Sequence, residues 1–145
     1  MIIGQFESIL DAKNRSALPK KFREELGSTL VITKGLDTQL IIVPTKHWDT
    51  LLEGTQGKPF IQRDVRELQR FLLGNATELE LDTKGRFVLP DYLREYAQVT
   101  DEIVYVGVGR FVEVWDKKKW DAHQTKIVEK GMIADIAEKL ASTHE

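Results

Sequence analysis

Asp11-Ala12-Lys13-Asn14-Arg15-Ser16-Ala17-Leu18-Pro19-Lys20-Lys21-Phe22-Arg23 is written a second time as Asp82-Thr83-Lys84-Gly85-Arg86-Phe87-Val88-Leu89-Pro90-Asp91-Tyr92-Leu93-Arg94. The offset is 82 − 11 = 71 residues, and the Asp, Lys, Arg, Leu, Pro and final Arg are identical in both copies. Repetition at a fixed period governs the fold before any single residue does. The same offset sets Leu10 against Leu81, Glu7 against Glu78, and residues 40–43 against 111–114. One inserted residue then brings Trp48 opposite Trp120. The chain is a duplication.

Each copy has the same local grammar. Residues 77–81, Thr-Glu-Leu-Glu-Leu, alternate strictly, as a strand with one buried face does, and residues 6–10 are its less regular counterpart, interrupted by Ile9. The turn Asp-x-Lys-(Asn/Gly)-Arg follows. Its Asp can accept hydrogen bonds from backbone N–H groups two residues on. Asn14 or Gly85 supplies a residue able to adopt positive φ. Arg-x-x-Leu then returns as a second strand, so the pattern predicts a hairpin with its cations at the tip. Leu18-Pro19 and Leu89-Pro90 predict packing and entry into a short helix, on which Phe22 and Leu26, or Leu93 and Ala97, share one face. Gly27 predicts the end of the first such helix.

Two β-rich runs come next in each copy, at 30–33 and 39–43, then 103–108 and 111–115. A closing helix is expected to be capped by Thr45 in one copy and by Asp116 in the other. Trp48, Trp115 and Trp120 read as core. Between the copies, residues 54–59 form a loop before a helix over 62–73, with Val65, Leu68, Phe71 and Leu72 on one side and Arg63, Arg66 and Arg70 on the other. Ile133, Ile136 and Leu140 stripe a final helix over 132–141. The class is α+β, divided as a first repeat at 1–54, a loop and connecting helix at 55–74, a second repeat at 75–128 and a C-terminal helix at 129–145. Half a chain of about 70 residues buries too little surface to stand alone, so the copies should pack together about a pseudo-twofold axis.

Bulk properties set the limits. The 145 residues are 41% hydrophobic and 30% charged, with 4 Pro and 10 Gly, which suits an ordinary folded domain rather than a disordered one. Residues 1–10 carry Gln5 and Glu7 in an alternating run, unlike a signal peptide. No stretch reaches the roughly 18 apolar residues of a membrane span. With no cysteine, disulfides, thiolate nucleophiles and Cys-based zinc sites are excluded, and a cytoplasmic location is expected.

Catalysis finds little to stand on. His47, His123 and His144 are isolated, without metal-binding spacing, and read as exposed helix or tail residues. There is no GxSxG elbow. Gly54-x-x-Gly57-Lys58 is too short for a phosphate loop and runs into Pro59, and Gly107-x-Gly109 reads as a turn. No cofactor, metal or small-molecule substrate is expected.

The net charge of −2 argues mildly against a nucleic-acid partner, which usually meets a basic face. The repeated module answers that objection. Residues 11–23 hold five basic groups against one acid, and residues 82–94 hold three against two. Arginine forks suit guanine edges or phosphates, a two-stranded ribbon fits the major groove, and lysines suit phosphates. Lys13, Arg15, Lys84 and Arg86 are the candidate DNA contacts, with Asn14 and Gly85 shaping the tips and Arg23 and Arg94 as outlying cations. Asp11 and Asp82 are expected to serve the turn or pair with an arginine. The reading needs the four tip cations to face outward, unclaimed by the protein's own acids.

These two modules, the Arg-x-Leu-Gln-Arg-x-Leu-Leu-Gly-x-Ala stretch at 66–76 and the strand–Trp endings resemble the MraZ family, bacterial transcriptional regulators linked to the division and cell-wall gene cluster. The resemblance spans essentially the whole chain. It implies an AbrB/MazE-like swapped-hairpin β-barrel with flanking helices, duplicated within one chain. It also implies ring-shaped homo-oligomers, a nucleoid-associated location, and binding to short tandem promoter repeats in double-stranded DNA. By matching position the contacts would be Lys13, Arg15, Lys84 and Arg86. A ring would let weak individual contacts add by avidity. Two other readings compete: an oligomeric scaffold without specific DNA binding, and a small ligand-binding or enzymatic barrel.

Overall fold

The computed structural model describes residues 1–53 and 57–143. In chain order the elements are β1 (Ile2–Ile9), β2 (Arg15–Ala17), α1 (Lys20–Leu26), β3 (Leu30–Lys34), β4 (Leu40–Pro44), a 3-10 turn (Thr45–His47), α2 (Trp48–Leu51) and α3 (Arg63–Gly74). The second copy supplies β5 (Thr77–Leu79), β6 (Arg86–Val88), α4 (Asp91–Ala97), β7 (Glu102–Gly109), β8 (Val112–Asp116), α5 (Lys117–Glu129) and α6 (Met132–Ser142). The class is α+β. The boundary expected at 54/55 and His144 lie outside the described residues.

The strand pairing departs from the simple hairpins. β1 does not pair with β2. It runs antiparallel to β7 along its whole length, from Ile2 opposite Gly109 to Ile9 opposite Glu102. β2 pairs with β6, Ser16 opposite Phe87, and β5 pairs with β3. Each copy's first strand therefore lies on the other copy's third strand. The reason is steric and hydrophobic together. The Asp-x-Lys-x-Arg turn closes locally, Asp11 N–H to Arg15 C=O at 2.9 Å, and the chain then dives into the shared core at Leu18 instead of continuing alongside β1. The six-stranded order is β1-β7-β8-β4-β3-β5, and exchanging the copies returns the same order reversed. The pseudo-twofold relation passes between β4 and β8 and between β2 and β6.

One core serves both copies. Leu18 and Leu89, each 1% exposed, meet Phe22, Leu26, Leu93 and Ala97 from the two short helices and the inward residues of β3, β4, β7 and β8. Burying each such aliphatic side chain contributes roughly 1.5–3 kcal/mol. Phe6 and Phe22 stack edge to face at 5.0 Å between centroids. Pro19 and Pro90 precede α1 and α4 with near-identical backbone, φ −54° and −59°, so the Leu-Pro step enters both helices as the sequence suggests.

Several local expectations need correction. Thr45 does not cap a helix; Pro44 precedes a 3-10 turn and the Thr45 hydroxyl reaches instead towards Thr29. Asp116 does cap α5, accepting from Lys119 N–H at 3.2 Å. Gly107 is no turn residue: it lies within β7 opposite Gly4, where a Cβ would come 2.8 Å from the Ile2 backbone. Trp115 and Trp120 are buried together with Val104 and Val106, whereas Trp48 is only half-buried. His123 is packed against Trp115, 5.0 Å between ring centroids, rather than freely exposed. On α3, Arg66 bonds the carbonyls of Phe60 and Ile61 and Arg70 pairs with Glu67, leaving Arg63 exposed.

Candidate nucleic-acid interface

The two loops are built alike, atom for atom. In the first, one Asp11 carboxylate oxygen accepts the backbone N–H groups of Lys13 and Arg15, both at 2.9 Å. Its other oxygen accepts Arg15 Nε at 3.0 Å. In the second, Asp82 does the same with Lys84 and Arg86, with Arg86 Nε at 2.8 Å. Asn14 and Gly85 take φ of 58° and 78°, as the turn requires. Both carboxyls are held below their ordinary pKa, chiefly because the backbone N–H of Arg15 or Arg86 bonds the ionised form. Partial desolvation opposes this, and the guanidinium and the Lys13 or Lys84 N–H add to it.

This geometry corrects the expectation that all four tip cations are unclaimed by acids. Arg15 and Arg86 are each held by their own loop's Asp, because the carboxylate that bonds the backbone presents its second oxygen to Nε. The pairing uses Nε alone, and the side chains remain 32% and 34% exposed. Lys13 and Lys84 are exposed and carry no ion pair among the described residues. The aspartates thus orient the forks and leave the terminal nitrogens of each guanidinium without a protein partner among the described residues.

The ribbon of β2 and β6 places the two forks together. Ser16 and Phe87 face inward, and Ser16 is hydrogen-bonded to the buried Tyr105 hydroxyl at 2.7 Å. Because side chains alternate, Arg15, Ala17, Arg86 and Val88 share the opposite face, with Arg15 opposite Val88 and Ala17 opposite Arg86. Val88 is 61% exposed there. Arg15, Asp82 and Arg86 line one shallow cleft of about 230 Å³ with Glu80 and Val88. The guanidinium groups of both copies thus border a single surface.

The helices complete each loop from the opposite copy. Leu18 N–H bonds Gly85 C=O at 2.9 Å, and Leu89 N–H bonds Asn14 C=O at 2.7 Å. Arg23 lies against Gly85, and the Nε of both Arg23 and Arg94 is buried without a hydrogen-bond partner among the described residues. Asn14 donates its amide to Asp91 at 3.2 Å, and Arg94 lies 3.8 Å from the same carboxylate. Arg23 and Arg94 are therefore lateral supports of the loops. Asp91, which no local pattern assigns to the site, meets the first loop from the start of α4, and Lys20 holds the corresponding position at the start of α1; the exchanged connectivity that brings Asp91 to the loop leaves no trace in nearby sequence. Among the described residues no group of three or more His, Asp or Glu side chains could hold a metal ion.

Comparison with known proteins agrees with this duplicated architecture. The family described as "MraZ protein, putative antitoxin-like" matches the chain twice, over residues 1–71 and 72–142, which reproduces the 71-residue offset. A transcriptional regulator MraZ of Acetivibrio thermocellus is 40% identical over 142 residues, covering 97% of both chains. The Carboxydothermus hydrogenoformans protein of that name is 39% identical over 97% of this chain and 96% of its own, and the Moorella thermoacetica one is 42% identical over 85% and 86%. With a twofold match along nearly all its length, the chain belongs to the MraZ family.

Proposed function

We propose that the chain is a transcriptional regulator that binds double-stranded DNA through the β2–β6 ribbon and its two Asp-x-Lys-x-Arg loops. Relatives in its family are named transcriptional regulators, which sets the chain among regulators rather than enzymes. The observation that carries the reading is the shared outer face on which Arg15 and Arg86 stand, each guanidinium steered by Nε to its own Asp. A carboxylate that fixes one edge of a guanidinium leaves the other edge for bidentate contact with guanine or phosphate. Lys13 and Lys84 then supply phosphate contacts, which set register and affinity. Catalytic roles are assigned to no residue.

In this reading the exchanged strands form a swapped-hairpin barrel of the AbrB/MazE type, and subunits close into a ring that engages short tandem promoter repeats in the cytoplasm. No helix among the described residues is long and apolar enough to cross a membrane. Support for assembly comes from α6, whose Ile133, Ile136 and Leu140 remain 53%, 39% and 59% exposed.

The test is a gel shift with the DNA upstream of this chain's own coding sequence. Arg15→Ala with Arg86→Ala should keep the circular dichroism of the wild type and lose at least tenfold in affinity. Wild-type binding should fall with salt at about 0.9 log units per phosphate neutralised. Full affinity in the double variant would overturn the loop reading. No shift at low salt from a stable oligomer would favour a scaffold.

A further inference from the structure

Counted along the sequence, the positive charge belongs to the first module. Counted in space, it belongs to the second loop. We propose, resting on the DNA-binding reading above, that the loop of Lys84 and Arg86 is the stronger anchor on DNA and the loop of Lys13 and Arg15 the weaker one.

The exchange of strands is the cause. Leu18 N–H on Gly85 C=O seats the start of α1 beside the second loop, and Leu89 N–H on Asn14 C=O seats the start of α4 beside the first. The sequences of those helix starts differ where it matters. The first loop meets Asp91, which accepts the Asn14 amide at 3.2 Å and stands 3.8 Å from Arg94. At the 71-residue offset the counterpart of Asp91 is Lys20, which the pseudo-twofold relation sets on the side of the second loop, and Gly85 replaces Asn14. Arg23 packs on Gly85 and has no ion-pair partner among the described residues, whereas its counterpart Arg94 has Asp91. Lys21 is left out of this group; its counterpart Tyr92 donates its hydroxyl to Asn75 C=O.

Around the second loop stand Lys84, Arg86, Arg23 and, by the pseudo-twofold relation, Lys20 against Asp82 and Glu80, a net +2. Around the first stand Lys13, Arg15 and Arg94 against Asp11 and Asp91, a net +1. A phosphate near the second loop meets uncompensated cations; near the first it meets a carboxylate that already occupies two donors. Charge of this kind acts on affinity and salt dependence.

The experiment uses the full chain and a fluorescein-labelled duplex of its own upstream DNA, read by anisotropy at several salt concentrations. Lys84→Ala with Arg86→Ala should weaken binding at least tenfold more than Lys13→Ala with Arg15→Ala. Exchanging the exposed helix-start residues should move affinity in opposite directions: Lys20→Asp weakens it several-fold and Asp91→Lys strengthens it. The salt slope should fall by about 0.9 for each phosphate that is no longer neutralised, hence more for the second-loop pair. Equal losses of affinity from the two pairs, a larger loss from the first, or indifference to Lys20→Asp would overturn the proposal while leaving DNA binding intact. If neither pair matters, the loop reading itself falls, and this inference with it. Unchanged circular dichroism in each variant separates these outcomes from misfolding.

Discussion

The guanidinium of Arg23 fills the space in which a side chain at residue 85 would begin: a Cβ built on Gly85 lies 2.5 Å from both Nε and Nη1 of Arg23. One residue comes from the first repeat and the other from the second, so the contact exists only in the folded duplication. Glycine at 85 serves two needs together, a φ of 78° and room for the arginine. Gly85→Ala should cost about 1–3 kcal/mol, lowering Tm by several degrees in a thermal melt. Asn14→Gly, which gives up one exposed hydrogen bond and keeps a residue suited to positive φ, should stay within about 1 kcal/mol of wild type. A harmless Gly85→Ala would show that Arg23 yields freely.

Acid should loosen both loops. The Asp11 and Asp82 carboxyls titrate below their ordinary value because the folded loop bonds the ionised form. The folded pKa is thus lower than the unfolded one, near 3.9, and the contribution is present above that pH and lost as pH falls through the folded value. Carboxyl carbon chemical shifts should place both midpoints below about 3.9, the unfolded value. Asp11→Asn and Asp82→Asn should each remove one of the two low midpoints. Midpoints at or above 3.9 would contradict the loop geometry.

Ser16 and Tyr105 should behave as a coupled pair. Their hydroxyls meet at 2.7 Å beneath the ribbon, and burial pushes the Tyr105 hydroxyl far above the ordinary tyrosine range. A raised folded pKa means that the associated stability is complete below about pH 10, the unfolded value, and declines as pH rises further. Tyr105→Phe should destabilise by about 1–2 kcal/mol, leaving the Ser16 hydroxyl with Ser8 at 3.3 Å as its partner among the described residues. In urea denaturation the double variant with Ser16→Ala should cost less than the summed single changes by about 1 kcal/mol. Strict additivity would show that the bond carries no energy of its own.

The apolar stripe of α6 bears on assembly. Ile136→Glu with Leu140→Glu changes exposed residues only, so monomer stability should move by no more than about 0.5 kcal/mol. If the stripe is covered by another subunit, light scattering should show a fall in mass, and DNA affinity should fall with it as avidity is lost. A variant of unchanged mass would place the subunit contact elsewhere.

Much of this protein can be read without coordinates where the governing forces are local. The turn chemistry of Asp11 and Asp82, the positive φ of Asn14 and Gly85, the Leu-Pro helix entries and the Asp116 cap all depend on neighbours within four residues, and each stands where its sequence places it. Where the outcome depends on distant chain, local pattern misleads. The run of β1 into its turn suggests a hairpin, yet β7 claims β1. Gly107 looks like a turn residue, yet the close approach of the Ile2 backbone requires it inside a strand. Among the described residues Trp48 has no ring partner of the kind that Trp115 and Trp120 find in each other.

The sequence by itself determined that the chain is one unit written twice, that each unit carries a basic turn of defined geometry, and that neither half could bury a core alone. Those properties rest on repetition, short-range hydrogen bonding and surface-to-volume ratio, all of which are local or additive. Tertiary structure alone decided which half completes which loop. A strand's free edge accepts any partner of matching register, and the shared core selects the one in the other copy, setting Arg23 beside Gly85, and Asp91 beside Asn14.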